Sequence, residues 1–321
     1  MTRALAIALL GAVLAAPAFA QTPKTPVPPP APQSPAPAAS SSSDAAFAAY
    51  QRGYFLTAFK LATDGAANKD APSMTLLGEL YANGLGIGRD DVKAAQWYQL
   101  AANLGDPQAM FALAIFKFTG RGGPADAAAG VKLFQAAAAH GNMFASYNLG
   151  LLYLRGQNVP QDAKHAAELF EAAAKAGVPE AQYVLATMYR EGRGVAQDES
   201  RAMQLMRQAA LAGNLDAMVE YGIAEFNGTA TPKDEAAATA LLRKAAERGN
   251  PVAQNRLARI LSAGKGVPAN PVEAMKWHII ARTDGRGDPD LDIYMSKQKP
   301  DDRTAAEKAA KLWLSTEAPH S

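Results

Sequence analysis

Residues 77–105 read LGELYANGLGIGRDDVKAAQWYQLAANLG, and the pattern returns every 36 residues. Glycines carry the register. Gly84, Gly120, Gly156, Gly192, Gly228 and Gly264 form one column, and Gly105, Gly141, Gly177, Gly213, Gly249 and Gly285 a second. Asp90, Asp126, Asp162, Asp198, Asp234 and Asn270 form a third. No insertion breaks the six copies. A period of this length with glycine and proline punctuation marks a solenoid of helical pairs, whose units bury their apolar faces only by stacking.

Each copy divides into two helices. The first carries leucine and then a small residue: Leu77-Gly78, Leu113-Ala114, Leu149-Gly150, Leu185-Ala186 and Leu257-Ala258, with Tyr221-Gly222 in the fifth copy. The small residue admits a neighbouring helix that a larger one would displace. The first glycine column suits the left-handed position that ends a helix. Pro124, Pro160, Pro232 and Pro268 stiffen the turn that follows. The Asp/Asn column then caps the second helix by accepting backbone N–H bonds. That helix shows its apolar face at i, i+3, i+4, i+7, as in Ala94, Trp97, Tyr98 and Ala101 or Ala274, Trp277, His278 and Ala281. Two helices of about 13 residues with short turns must run antiparallel.

Outward from the repeats the pattern fades. Residues 44–70 read as a worn capping half-repeat of two short helices broken at Gly53, with order starting near Asp44 as an N-cap. Ala58, Leu61 and Asp70 stand one period before Ala94, Trp97 and Asp106. The regular repeats span 71–286. Residues 287–321 are C-terminal capping helices and tail: a helix from Asp288 to Lys297, a break at Pro300, and a helix capped by Asp301 or Asp302. Ala306, Ala309, Ala310 and Trp313 form the stripe of that last helix.

The N-terminus reads as an export signal. Arg3 precedes an apolar run from Ala4 to Ala16, and Ala18-Phe19-Ala20 offers small residues for cleavage after Ala20. The run is too short to span a bilayer comfortably, which disfavours an uncleaved anchor. Residues 21–43 hold eight prolines between Pro23 and Pro37 and then a serine run. Such a segment is expected to be a disordered linker. The chain has no cysteine, hence no disulfides, thiol chemistry or lipid attachment. The expected location is the periplasm. A net charge of +2 supplies no field for nucleic acid, and after signal removal no integral membrane segment is expected.

The repeat resembles the Sel1-like repeat, a relative of the tetratricopeptide repeat. In the third copy Ala145, Leu149, Gly150, Tyr153, Gly156, Val159, Asp162, Ala166, Ala173, Ala174 and Gly177 match the family pattern. In the fourth, Ala181, Leu185, Tyr189, Gly192, Gly194, Val195, Asp198, Ala202, Ala209, Ala210 and Gly213 do so. The second copy departs at Lys117 and Gly130, and the fifth at Glu225 and Ala230. The resemblance implies an all-α fold, an α/α superhelical solenoid that serves as a scaffold for other proteins in signalling, envelope or secretion complexes.

Catalytic constellations are missing. His140, His165, His278 and His320 have no metal-ligand spacing and no H-E-x-x-H occurs. His278 shares the column of Tyr98 and Phe170, which makes it a packed core residue. The run Gly84-x-Gly86-x-Gly88 follows a helix rather than a strand, so it is no phosphate loop. No serine sits in a G-x-S-x-G elbow. The expectation is a non-enzyme without cofactor or metal.

What remains is a binding surface. By analogy with tetratricopeptide repeats, the first helices line the concave side, and positions two before, two after and five after the leucine column point inward. These are Phe111, Ile115 and Phe118, then Tyr147, Leu151 and Leu154, then Tyr183, and in the fifth copy Val219, Ile223 and Phe226. Arg155, Arg190 and Glu191 would form the polar flank. The competing assignment for the aromatics is inter-repeat core. An exported, non-catalytic scaffold or adaptor holding a protein or peptide is the leading function. Its rivals are a cell-wall or β-lactam-acting hydrolase, suggested by cysteine-rich members of the family that the repeat resembles, and a structural envelope component tethered by the proline-rich arm.

Overall fold

The computed structural model describes residues 42–317, and every regular element among them is an α-helix. Two compact units divide between Gln161 and Asp162. The first holds α1 Ser42–Gln51, α2 Phe55–Ala67, α3 Ala71–Asn83, α4 Asp91–Asn103, α5 Pro107–Thr119, α6 Ala127–Ala139 and α7 Met143–Arg155. The second holds α8 Ala163–Lys175, α9 Pro179–Glu191, α10 Glu199–Leu211, α11 Leu215–Asn227, α12 Glu235–Glu247, α13 Pro251–Ala263, α14 Pro271–Thr283, α15 Pro289–Ser296 and α16 Pro300–Glu317. Within each unit consecutive helices pair as hairpins and the hairpins stack in chain order. The architecture is an all-α solenoid.

Capping and turn chemistry set the helix ends. Asp90, Asp126, Asp162, Asp198, Asp234 and Asn270 each accept a backbone N–H at the start of the second helix of a hairpin. A further column caps the first helices: Asp70, Asp106, Asn142, Asn214 and Asn250 accept in the same way. Val178 holds that position before α9 without a side-chain bond. Each cap of this kind stabilises by about 1 kcal/mol. The first glycine column ends the first helices with φ between 63° and 72°, a region that charges any other residue a steric penalty.

The leucine column forms the core. Leu77, Leu113, Leu149, Leu185 and Leu257 are buried, as is Tyr221 in the fifth copy. The small residue beside it lets the second helix of the same hairpin close in. A Cβ on Gly78 would lie 2.6 Å from Tyr98 Cδ1, and one on Gly222 would lie 3.0 Å from Leu242 Cγ. The short turn carries a second close approach, from one hairpin to the hairpin before it. A Cβ on Gly122 would lie 2.7 Å from Ala95 Cβ on α4, and one on Gly194 would lie 3.0 Å from the Lys164 nitrogen on α8. Gly86 and Gly266 meet α2 and α12 in the same way. Asn158 and Ala230 stand in this column with φ of 59° and 57°.

Two expected caps are corrected. Asp44 lies inside the first turn of α1, which begins at Ser42. Asp301 and Asp302 likewise sit in the first turn of α16, which begins at Pro300. Proline suits a first helical position because it has no N–H to satisfy, and carboxylates in a first turn still complement the helix dipole. The break at Gly53 is as expected, with φ +78° between α1 and α2. The expected signal (1–20) lies outside the described residues, as does the linker apart from its last residues, 42 and 43. At the C-terminal end α16 packs on α14, with Trp277 and Trp313 edge to face at 5.9 Å.

Candidate partner-binding face

The first helix of each hairpin, α3, α5, α7, α9, α11 and α13, presents the expected positions. In the first unit α3 also approaches α5 directly, and α1 of the capping half-repeat approaches α3. Tyr50 donates to Glu79 Oε1 at 2.7 Å and so ties α1 to α3. In the second unit Tyr183 donates to Glu220 Oε1 at 2.8 Å, while Arg190 donates to Glu220 Oε2 at 2.7 Å. One carboxylate of α11 thus collects two residues of α9. Burial and the neighbouring Glu220 charge push the Tyr183 phenol well above its ordinary range. Sequence reading named Tyr183 and Arg190 but missed Glu220. The signal available for it was its spacing of 30 residues from Arg190, a spacing that recurs in Asp91 to Arg121 and Glu171 to Arg201.

The aromatic positions of α5 turn partly into the hairpin. Phe118 stacks on Phe134 of α6 at 5.4 Å, and Phe111 meets the same ring at 5.7 Å. Phe111 also lies 6.3 Å from Phe144 at the start of α7. Phe134 is buried, while Phe111, Ile115 and Phe118 are half-buried. They pack and still keep surface.

On α7 the expected stripe divides. Leu151 and Leu154 are buried, each 8 % exposed, so they have little area left for a partner. Tyr147 and Arg155 are half-buried. Burial lowers the Arg155 pKa, opposed by the nearby Tyr147. Glu191 is exposed at the end of α9. The structure therefore brings Tyr183 and Arg190 together through Glu220, and gives Phe111 and Phe118 a shared anchor in Phe134.

A cleft of about 470 Å³ lies in the second unit. Ile223 and Phe226 of α11 and Leu242 of α12 form one side. Arg256, Arg259 and Ile260 of α13 form the other, and Asp290, Leu291 and Tyr294 of α15 close it. Among the described residues no group of three or more His, Asp or Glu side chains could hold a metal. No helix among them is long and apolar enough to cross a membrane. His278 is buried in the core, and its Nε2 lies 2.7 Å from Asp292 Oδ1 of α15.

The Sel1 repeat profile matches residues 71–106, 107–142, 144–178, 179–214, 215–250 and 251–285. The chain belongs to the Sel1 repeat family. Sel1 repeat proteins are in general scaffolds for protein interactions, and the repeat is a protein-binding fold. The structure is similar to that of a Sel1 repeat protein from Oxalobacter formigenes, with a TM-score of 0.68 and 28% identity over 75% of this chain and 99% of that one. A protective antigen of uropathogenic Escherichia coli with an SLR fold gives a TM-score of 0.49 and 20% identity, covering 87% of this chain and 84% of that one. An immunity protein from Pseudomonas aeruginosa gives 0.40 and 25%, covering 57% and 70%. No curated protein sequence matches the chain.

Proposed function

We propose that this Sel1 repeat protein is an exported, non-catalytic scaffold or adaptor that holds a protein or peptide partner on its first-helix face, in envelope signalling or assembly. The reading rests on one observation. Phe111 on α5 and Tyr183 on α9 occupy the same repeat position, and both stay half-exposed beside ordered polar or aromatic neighbours. A rigid aromatic ring supplies contact area at low entropic cost, as aromatic anchors do at interfaces. The apolar run before Ala18-Phe19-Ala20 supports export to the periplasm.

Pull-down from envelope extract tests the reading. A partner recovered by the wild-type chain is expected to be released by Phe111→Ala combined with Tyr147→Ala, with the thermal melt still cooperative. Equal recovery by the folded double variant would remove this face as the binding surface. N-terminal sequencing of the mature protein tests export, and an N-terminus at Gln21 is expected.

A further inference from the structure

We infer that the cleft between α11, α13 and α15 is a docking site for an acidic peptide segment, which inserts one bulky apolar side chain and places a carboxylate between Arg256 and Lys265. The inference deepens the scaffold reading and rests on it.

The cleft is built by more than the repeat. The Sel1 repeats end at residue 285, and α15 begins at Pro289. Leu291 and Tyr294 of this added helix close the end of a trough whose walls are Ile223 and Phe226 of α11 and Ile260 of α13. Leu242 of α12, 1 % exposed, lines it beside Ile223 and Phe226. These side chains are apolar, and Ile223, Phe226 and Tyr294 remain half-buried rather than sealed. A space of about 470 Å³ takes one aromatic or branched side chain with part of its backbone, within the range of ligand-sized clefts.

Charge at the rim selects the occupant. Arg256, Arg259 and Lys265 stand around the opening against one carboxylate, Asp290. Arg259 is already engaged: it donates to Asp288 at 2.5 and 2.9 Å and lies 3.6 Å from Asp290. Arg256 and Lys265 are exposed and, among the described residues, make no ion pair. The opening therefore presents two uncompensated cations beside an apolar trough. Its complement is an apolar side chain next to an acidic one. A basic or neutral segment gains nothing from this rim, and a purely apolar one leaves both cations idle.

The position of α15 is fixed, which keeps the trough open in one shape. Asp288 caps it, is 4 % exposed and also accepts from Asn255 at 3.1 Å. Asp292 accepts from Arg282 at 3.3 Å and faces His278. A trough already shaped spares the peptide the cost of forming it.

The test pans a displayed library of random 12-residue peptides on the full chain, then measures synthetic copies of the enriched peptides by fluorescence anisotropy. The expected result is enrichment of Phe, Trp, Leu or Ile next to Asp or Glu. Arg256→Glu with Lys265→Glu should weaken binding about tenfold or more and flatten its salt dependence. Both residues are exposed, so the thermal melt should not move. Phe226→Ala should weaken binding independently, and a photo-reactive residue in the peptide should label α11 or α13. Enriched peptides that bind the charge-reversed variant as well as wild type overturn the site. If those peptides instead label α5 or α9, the scaffold reading survives and this cleft does not. If the library yields no binder while a cellular partner still depends on Phe111 and Tyr147, the cleft is again refuted alone.

Discussion

Arg121 and Asp91 lie 30 residues apart and are joined by two hydrogen bonds, 2.7 and 3.1 Å long. The same guanidinium donates to the carbonyl of Ala82 at 2.9 Å and lies over the Phe116 ring at 4.3 Å. One side chain in the turn after α5 therefore ties the end of α3 to the start of α4. Arg121→Ala should destabilise the protein by about 1 kcal/mol, the scale of a partly buried, bidentate pair. Hydrogen bonds from Arg121 and then Arg89 hold the Asp91 carboxyl well below its ordinary range. A depressed folded pKa gives stability that is present above the unfolded value of about 4 and is lost as pH falls below it. The gap between wild type and Arg121→Ala should hold at pH 7 and close in acid, as read by urea midpoints along a pH series.

The turn glycines predict two opposite effects. Gly122 has φ +70°, and a Cβ there meets α4. Gly122→Ala should cost about 3 kcal/mol, from left-handed strain plus the clash. Ala230 already sits at φ 57° without being glycine. Ala230→Gly should stabilise by about 0.5 kcal/mol, the relief of left-handed strain less the entropy of a freer unfolded chain. Thermal melts of the two variants check both signs.

The repeat was legible because its glycine, leucine and Asp/Asn columns each answer a local need: a left-handed end, a buried side chain, an orphan N–H. Asp90 and Gly84 could be placed with no knowledge of any neighbour. Glu220 and the cleft could not. Glu220 acts through Tyr183 on another helix, and the cleft depends on α15, which carries no repeat pattern. The split within the expected face has the same origin. Leu151 and Ile115 stand one period apart in the same column, yet the first is buried and the second keeps surface, because burial depends on which helices close over each position. Asp301 and Asp302 depart from the expected cap for a smaller reason: Pro300 starts α16 instead of merely breaking the chain.

Gly130 replaces the alanine of the repeat pattern, and the ring of Phe118 explains the exchange. A Cβ on Gly130 would lie 2.7 Å from Phe118 Cδ2, and that ring is held by stacking on Phe134. Glycine to alanine inside a helix ordinarily stabilises by about 1 kcal/mol. Here Gly130→Ala should instead destabilise by about 1 kcal/mol. In a Phe118→Ala background the same change should stabilise. A double-mutant cycle by chemical denaturation measures the coupling, which additivity would put at zero.

Asp292→Ala should loosen α15. His278 Nε2 loses its carboxylate partner, and its Nδ1 is already buried without one among the described residues. Leaving a buried ring nitrogen unsatisfied costs about 1 to 3 kcal/mol. Hydrogen exchange should speed up across Pro289–Ser296 and leave Leu215–Asn227 of α11 near its wild-type rate. Uniform acceleration of both would contradict a local latch.

The most direct measurement is photo-crosslinking in living cells, with a photo-reactive residue placed in turn at Ile115 and Thr187 on first helices and at Gln99 and Gln208 on second helices. Partner adducts at Ile115 and Thr187, with none at the other two positions, are the predicted result. Adducts confined to Gln99 and Gln208 would contradict the account, because the partner would then be held by the helices opposite the proposed face.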